Sequence, residues 1–159
     1  MPNPFAGSRF YARLGNVFTR PMWGLFAPPE GFAILTTTGR KTGLTRRQSI
    51  RAIRRGDIAV AVAMMGERAQ WLRNVRENEG VTLKLHDGTH RGVAHEATDA
   101  SETEQANDIY VNSTVSHDYF DYAVYEWGFP TRENVRKAHK KWFDAGIPVI
   151  IDLDESAEA

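Results

Sequence analysis

The chain has 159 residues, 42% of them hydrophobic, with 20 basic and 20 acidic side chains and a formal charge of zero. That size and apolar content suit one domain with a sizeable core, and the zero balance excludes polyanion binding by bulk charge. Cysteine is absent, which excludes disulfides, thiolate metal sites and a cysteine nucleophile, and fits a cytoplasmic location.

In chain order, residues 1–29 are read as an amphipathic helix and connector. Phe10, Leu14, Val17 and Phe18 recur at helical spacing, with Arg9 and Arg13 falling elsewhere, and the apolar surface continues through Met22, Trp23, Leu25 and Phe26 to Pro28 and Pro29. Packing on the same domain or on a second subunit is the expected role, and the second of these would make the assembly a homodimer. Peripheral contact with an anionic membrane is the minority reading. Neither a secretory signal nor a run long enough to span a membrane is visible.

Residues 30–153 are expected to form the folded body and 154–159 an acidic, disordered tail. Strands are predicted at Phe32 to Thr38, Thr45 to Ile53, Ile58 to Ala63, Val81 to Leu85, Arg91 to Glu96 and Ile147 to Leu153. Helices are predicted from Ala69 to Glu77, from an Asp99 or Ser101 cap to Val111, and from Thr131 to Ala145. This order predicts an α+β, mainly β fold: a small antiparallel barrel of about six strands with helices outside. No Gly-x-Gly-x-x-Gly run follows a strand, and Gly39 to Gly43 lacks the spacing of a P-loop.

The most informative segment is Gly39-Arg40-Lys41-Thr42-Gly43, a tight turn followed by Arg46 and Arg47. Glycines let backbone approach a ligand while Arg and Lys supply charge-assisted hydrogen bonds, so the tip suits a phosphate or carboxylate. The competing reading is a solvated hairpin. Gly66 precedes a helix whose first amides could meet the same anion, and Asn74 beside Trp71 and Leu72 needs hydrogen-bond partners, most simply in a loop backbone. The alternating face Ala59, Ala61 and Ala63 leaves room either for a flat ligand or for a closely packed neighbour.

The five histidines, at 86, 90, 95, 117 and 139, are scattered without metal-ligand spacing, so no metal is expected. Nucleic-acid binding by the basic run from Arg40 to Arg55 is not favoured, because no aromatic residues are interleaved there. Between Ser116 and Pro130, Tyr119, Phe120, Tyr122, Tyr125, Trp127 and Phe129 cluster. The three tyrosines recur every third residue and would share one side of a helical turn. Core packing is the commoner fate of such clusters; the functional reading is stacking on a planar substrate and proton donation.

Taken together, Thr-Thr-Thr-Gly-Arg-Lys-Thr-Gly at 36–43, Arg46, Gly56-Asp57, Gly66, Trp-Leu-Arg-Asn at 71–74 and the closing Ile-Pro-Val-Ile-Ile-Asp resemble the deazaflavin-dependent nitroreductase and quinone reductase family. The resemblance implies a split β-barrel oxidoreductase that passes a hydride from reduced coenzyme F-420 to an electron-poor quinone, nitroaromatic or activated enone. It implies coenzyme contacts at Arg40, Lys41, Thr42, Gly43, Arg46, Met64, Met65, Gly66, Trp71 and Asn74. The spacing of Tyr119, Tyr122 and Tyr125 resembles a run that lines the substrate side in some members; with the clustered phenols it makes Tyr119 and Tyr122 the candidate catalytic residues and Tyr125 and Trp127 the candidate substrate pocket. Met64 and Met65 stand where many members carry Ser and a small or basic residue, which leaves FMN as an alternative cofactor. A non-catalytic split barrel carrying flavin, haem or lipid is the alternative function.

Overall fold

The computed structural model describes residues 26–154. The expected N-terminal helix, the dimer and membrane contacts attached to it, and the tail beyond Asp154 lie outside the described residues.

Six antiparallel strands close into a barrel: β1 (Phe32–Thr38), β2 (Thr45–Arg55), β3 (Ile58–Ala63), β4 (Gly80–Leu85), β5 (Gly88–Glu96) and β6 (Ile147–Leu153), in the order β1-β2-β3-β6-β5-β4. The circuit is completed by β1 against β4, with Leu35 opposite Leu83. Closure removes the free edges that would otherwise template pairing with other chains. Among the described residues four helices accompany the barrel: α1 (Gln70–Glu77), α2 (Ala100–Asn112), α3 (Ser116–Tyr125) and α4 (Arg132–Ala145). None of the described helices is long and apolar enough to cross a membrane.

Alternation along the strands builds two cores. Ala59, Ala61 and Ala63 point inward with Ala33, Leu35, Leu83 and Ile151, and α1 lays Trp71, Leu72 and Val75 into the same cluster. Outward from β3 and β6, Val60, Val62 and Ile150 pack against Ala106, Ile109 and Tyr110 of α2 and Phe143 of α4. The alanine face is therefore not a floor for a flat ligand. All three alanines are fully buried, because a six-stranded barrel has a narrow interior filled by its own side chains, and small residues make room there for the α1 aromatic.

Local signals set the helix boundaries. The Asp99 carboxylate accepts the Glu102 amide at 2.8 Å and caps α2, and the Thr131 hydroxyl accepts the Asn134 amide at 3.2 Å and caps α4. Pro148 sits near the start of β6, where its lack of an N–H is tolerated.

Candidate functional site

The β1–β2 turn is held from within and from α1. Gly39 donates its amide to the Leu44 carbonyl at 2.8 Å, and Gly43 donates to the Gly39 carbonyl at 2.7 Å. Gly43 adopts φ 69°, a left-handed conformation that glycine enters without strain. The amides of Lys41 and Thr42 have no partner among the described residues, so they are free to meet a ligand. Asn74 is buried on α1, as its hydrogen-bonding need required. Its Oδ1 accepts the Arg40 amide at 3.2 Å, and its Nδ2 donates to the Thr37 hydroxyl at 3.1 Å. The Arg40 guanidinium reaches Gln70 Oε1 at 3.1 Å. One neutral amide therefore pins the basic tip to the helix beside it.

Between tip and helix runs a groove of about 430 Å³ lined by eleven residues, including Arg40, Lys41, Thr42, Arg46, Trp71 and Asn74. These six were expected to act together, and the fold brings them together. Arg47, Gln48, Gln70, Thr37 and Gly39 complete the lining. The alternation of β2 gave no reason to place both Arg46 and Arg47 on the groove; the exposed end of the hairpin admits both. Among the described residues no carboxylate lines it, so four cations face one space without internal neutralisation. The donor set fits a phosphodiester and carboxylate tail.

Met64, Met65 and Gly66 do not line the groove. Met64 is 53% exposed at the end of β3, Met65 packs against the interior cluster, and Gly66, at φ 55°, opens a three-residue 3-10 turn before α1.

The aromatic residues lie elsewhere. Tyr119, Tyr122 and Tyr125 are on α3, whose start meets the beginning of β1: the Phe32 and His117 rings stand edge to face at 5.3 Å. Six steps of about 3.3 Å separate that end of β1 from the basic tip, or about 20 Å. The tyrosines and the groove thus mark opposite ends of one hairpin. Tyr122 packs over Gly128, where an added Cβ would come within 2.7 Å of the phenol oxygen. Tyr125 is 41% exposed near Asp121, and desolvation of its phenol, with that carboxylate, raises its pKa. Trp127 is 72% exposed.

Under α3 lies a charged cluster that the sequence did not single out. Arg51 of β2 pairs with Asp118 at 2.8 Å, and its Nη2 faces His139 Nδ1 at 3.3 Å. The other ring nitrogen, His139 Nε2, lies 3.7 Å from Asp118 Oδ1. Burial, reinforced by the Arg51 charge, holds His139 down to about 4. Burial, with help from Asp118, pushes Asp121 up to about 6. The basic run expected along β2 is likewise broken up: Arg54 pairs with Asp87 and Arg55 with Asp108.

The comparisons agree with this architecture. No curated protein matches the chain. Among solved structures it is similar to an F420-H2 dependent reductase (FDR-A), with 23% identity, a TM-score of 0.50, and coverage of 78% of this chain and 94% of that one. It is also similar to a structure described as a domain-swapped dimer, with 21% identity, a TM-score of 0.54, and coverage of 89% and 97% respectively. A heme binding protein from Mycobacterium smegmatis follows at 13% identity and a TM-score of 0.52, covering 77% of this chain and 46% of its own. These likenesses establish the split-barrel fold. The sequence model of one family goes further, matching residues 24–128, a span that takes in the basic turn, α1 and α3. The chain belongs to the F420H(2)-dependent quinone reductase family, and is an oxidoreductase that uses coenzyme F-420.

Proposed function

We propose that the groove between the β1–β2 tip and α1 holds the anionic tail of the coenzyme, and that α3 forms the acceptor side. The observation that carries the first half is the lining itself: Arg40, Lys41, Arg46 and Arg47 around one space with no carboxylate among them. Free amides at Lys41 and Thr42 add neutral donors to the cations. When bound, the reduced coenzyme supplies a hydride. The chain's part is to hold the tail, exclude water and orient an electron-poor acceptor, with a quinone as the favoured class.

An acceptor that takes up a hydride gains two electrons and one proton, and its oxygen needs one further proton to become a neutral hydroquinone. Tyr119 and Tyr122 are the proposed donors of that proton, with Tyr125 and Trp127 flanking the acceptor. A coenzyme anchored at the tip and reacting near α3 must extend along the hairpin. The length of β1 suits an elongated coenzyme and disfavours a compact one such as FMN. A homodimer is proposed as the working assembly, supported by the solved relative described as a domain-swapped dimer.

The deciding experiment is a fluorescence titration with the deazaflavin and, separately, with FMN. Each lost charge-assisted bond is worth about 1.5–3 kcal/mol, so Arg40→Ala with Lys41→Ala should weaken deazaflavin binding about a hundredfold or more. Unaltered affinity in the double variant, or tighter binding of FMN by the parent, would overturn the assignment.

A further inference from the structure

Asp118 is the one residue of α3 whose side chain is buried. The apolar residues of this ten-residue helix face outward: Phe120 is 65% exposed and Val124 46%. So short a helix is marginal in water on propensity alone, and surface helices ordinarily gain their stability by burying an apolar stripe. α3 buries a carboxylate instead.

Arg51 answers that carboxylate with two of its donors. Nε donates to Asp118 Oδ1 at 2.8 Å and Nη2 to Oδ2 at 3.1 Å, the two-pronged geometry that makes Arg–carboxylate pairs strong. The same guanidinium donates to the Tyr110 carbonyl at 2.9 Å and the Ser113 carbonyl at 2.8 Å, closing the end of α2, where carbonyls otherwise lack partners. It lies 4.4 Å from the centroid of the Tyr110 ring. Asp118 in turn accepts the Val115 amide at 2.9 Å and so caps the first turn of its own helix. One barrel side chain therefore ends α2 and ties α3 to β2, while its partner Asp118 starts α3.

We propose that the Arg51–Asp118 pair is the positioning device of the acceptor side, fixing α3 on the barrel and thereby setting where Tyr119 and Tyr122 stand. The proposal rests on the reading of α3 as the acceptor side. Neither Arg51 nor Asp118 lines the coenzyme groove, none of the hydrogen bonds described for the pair reaches a residue that does, and the interior cluster of the barrel does not include them. Breaking the pair should release α3 while the barrel and the coenzyme clamp persist, because the uncompensated charge is felt locally.

The test compares the parent with Asp118→Asn and, in case that variant fails to fold, Arg51→Lys, which keeps the charge but loses the two-pronged bond. The readouts are deuterium exchange, deazaflavin binding, and steady-state reduction of a naphthoquinone probe. Amides of 116–125 should exchange about tenfold faster or more, with β3 and β6 unchanged. Deazaflavin Kd should stay within about twofold, while KM for the quinone rises about fivefold or more. Unchanged exchange in α3 would overturn the proposal, and so would faster exchange with unchanged KM and kcat. Tyr119→Phe and Tyr122→Phe separate the two readings. If those variants turn over normally while Asp118→Asn raises KM, the phenol donors fall and the positioning pair stands. If they are slow while Asp118→Asn behaves as the parent, the reverse holds.

Discussion

Asn74 carries no charge, yet the charged tip depends on it. Its Oδ1 receives the Arg40 amide and its Nδ2 serves Thr37, so Asn74→Ala strands two polar groups where water has little access. Stranding a buried donor or acceptor costs about 1–3 kcal/mol, and a displaced Arg40 should weaken deazaflavin binding by about tenfold. Urea melts and fluorescence titration of the variant check both. A variant as stable and as tight as the parent would show that the tip is shaped by its glycines alone. At the proposed acceptor side the expectation differs in kind: Tyr119→Phe with Tyr122→Phe should lower kcat by a factor of about 10² or more with binding intact, since a positioned general acid contributes that much. Single-turnover reduction of a quinone measures it.

The elements were legible where pattern and punctuation agreed. Strand bounds at Phe32–Thr38, Ile58–Ala63 and Ile147–Leu153 follow from alternating apolar residues between Gly, Pro and Asp turns. The groove was legible because its residues are clustered in the chain, around 40–46 and 71–74. The Arg51–Asp118–His139 cluster was not, because its members sit 67 and 88 residues apart and meet only through tertiary packing. The alanine face was ambiguous for a related reason: small side chains mark either a ligand floor or a crowded interior, and only closure of the barrel decides. Gly92 of β5 is a second case in which tertiary packing reveals a constraint. An added Cβ would lie 2.5 Å from the Asp152 carbonyl oxygen of β6, a backbone atom that cannot turn aside. Gly92→Ala should therefore force β5 and β6 apart and cost about 1–3 kcal/mol, read as a lower urea midpoint. An unchanged midpoint would mean that the β5–β6 ladder is more compliant than a closed barrel should be.

For the whole molecule, a buried group and a half-buried one oppose one another in acid. His139, facing Arg51, Asp118 and Tyr110, falls from its ordinary 6.5 to about 4. Between those values the unfolded chain takes up a proton that the folded chain refuses, so stability from this group is present above 6.5 and lost as pH falls toward 4. Asp121, facing His117, Asp118 and Arg51, rises from 3.8 to about 6. Here the folded chain keeps a proton that the unfolded chain releases, so stability is present below 3.8 and lost as pH rises through 6. The slopes have opposite sign over a shared window, and each substitution should expose the other group. The stability of Asp121→Asn relative to the parent should fall by about 2 kcal/mol as pH is lowered through that window, and that of His139→Gln should rise by a similar amount. Urea unfolding at several pH values gives both difference curves whatever the background of surface carboxylates, because that background is common to variant and parent. Difference curves of the same sign, or two flat ones, would mean that the cluster beneath α3 is open to water, and with it the footing of the acceptor side.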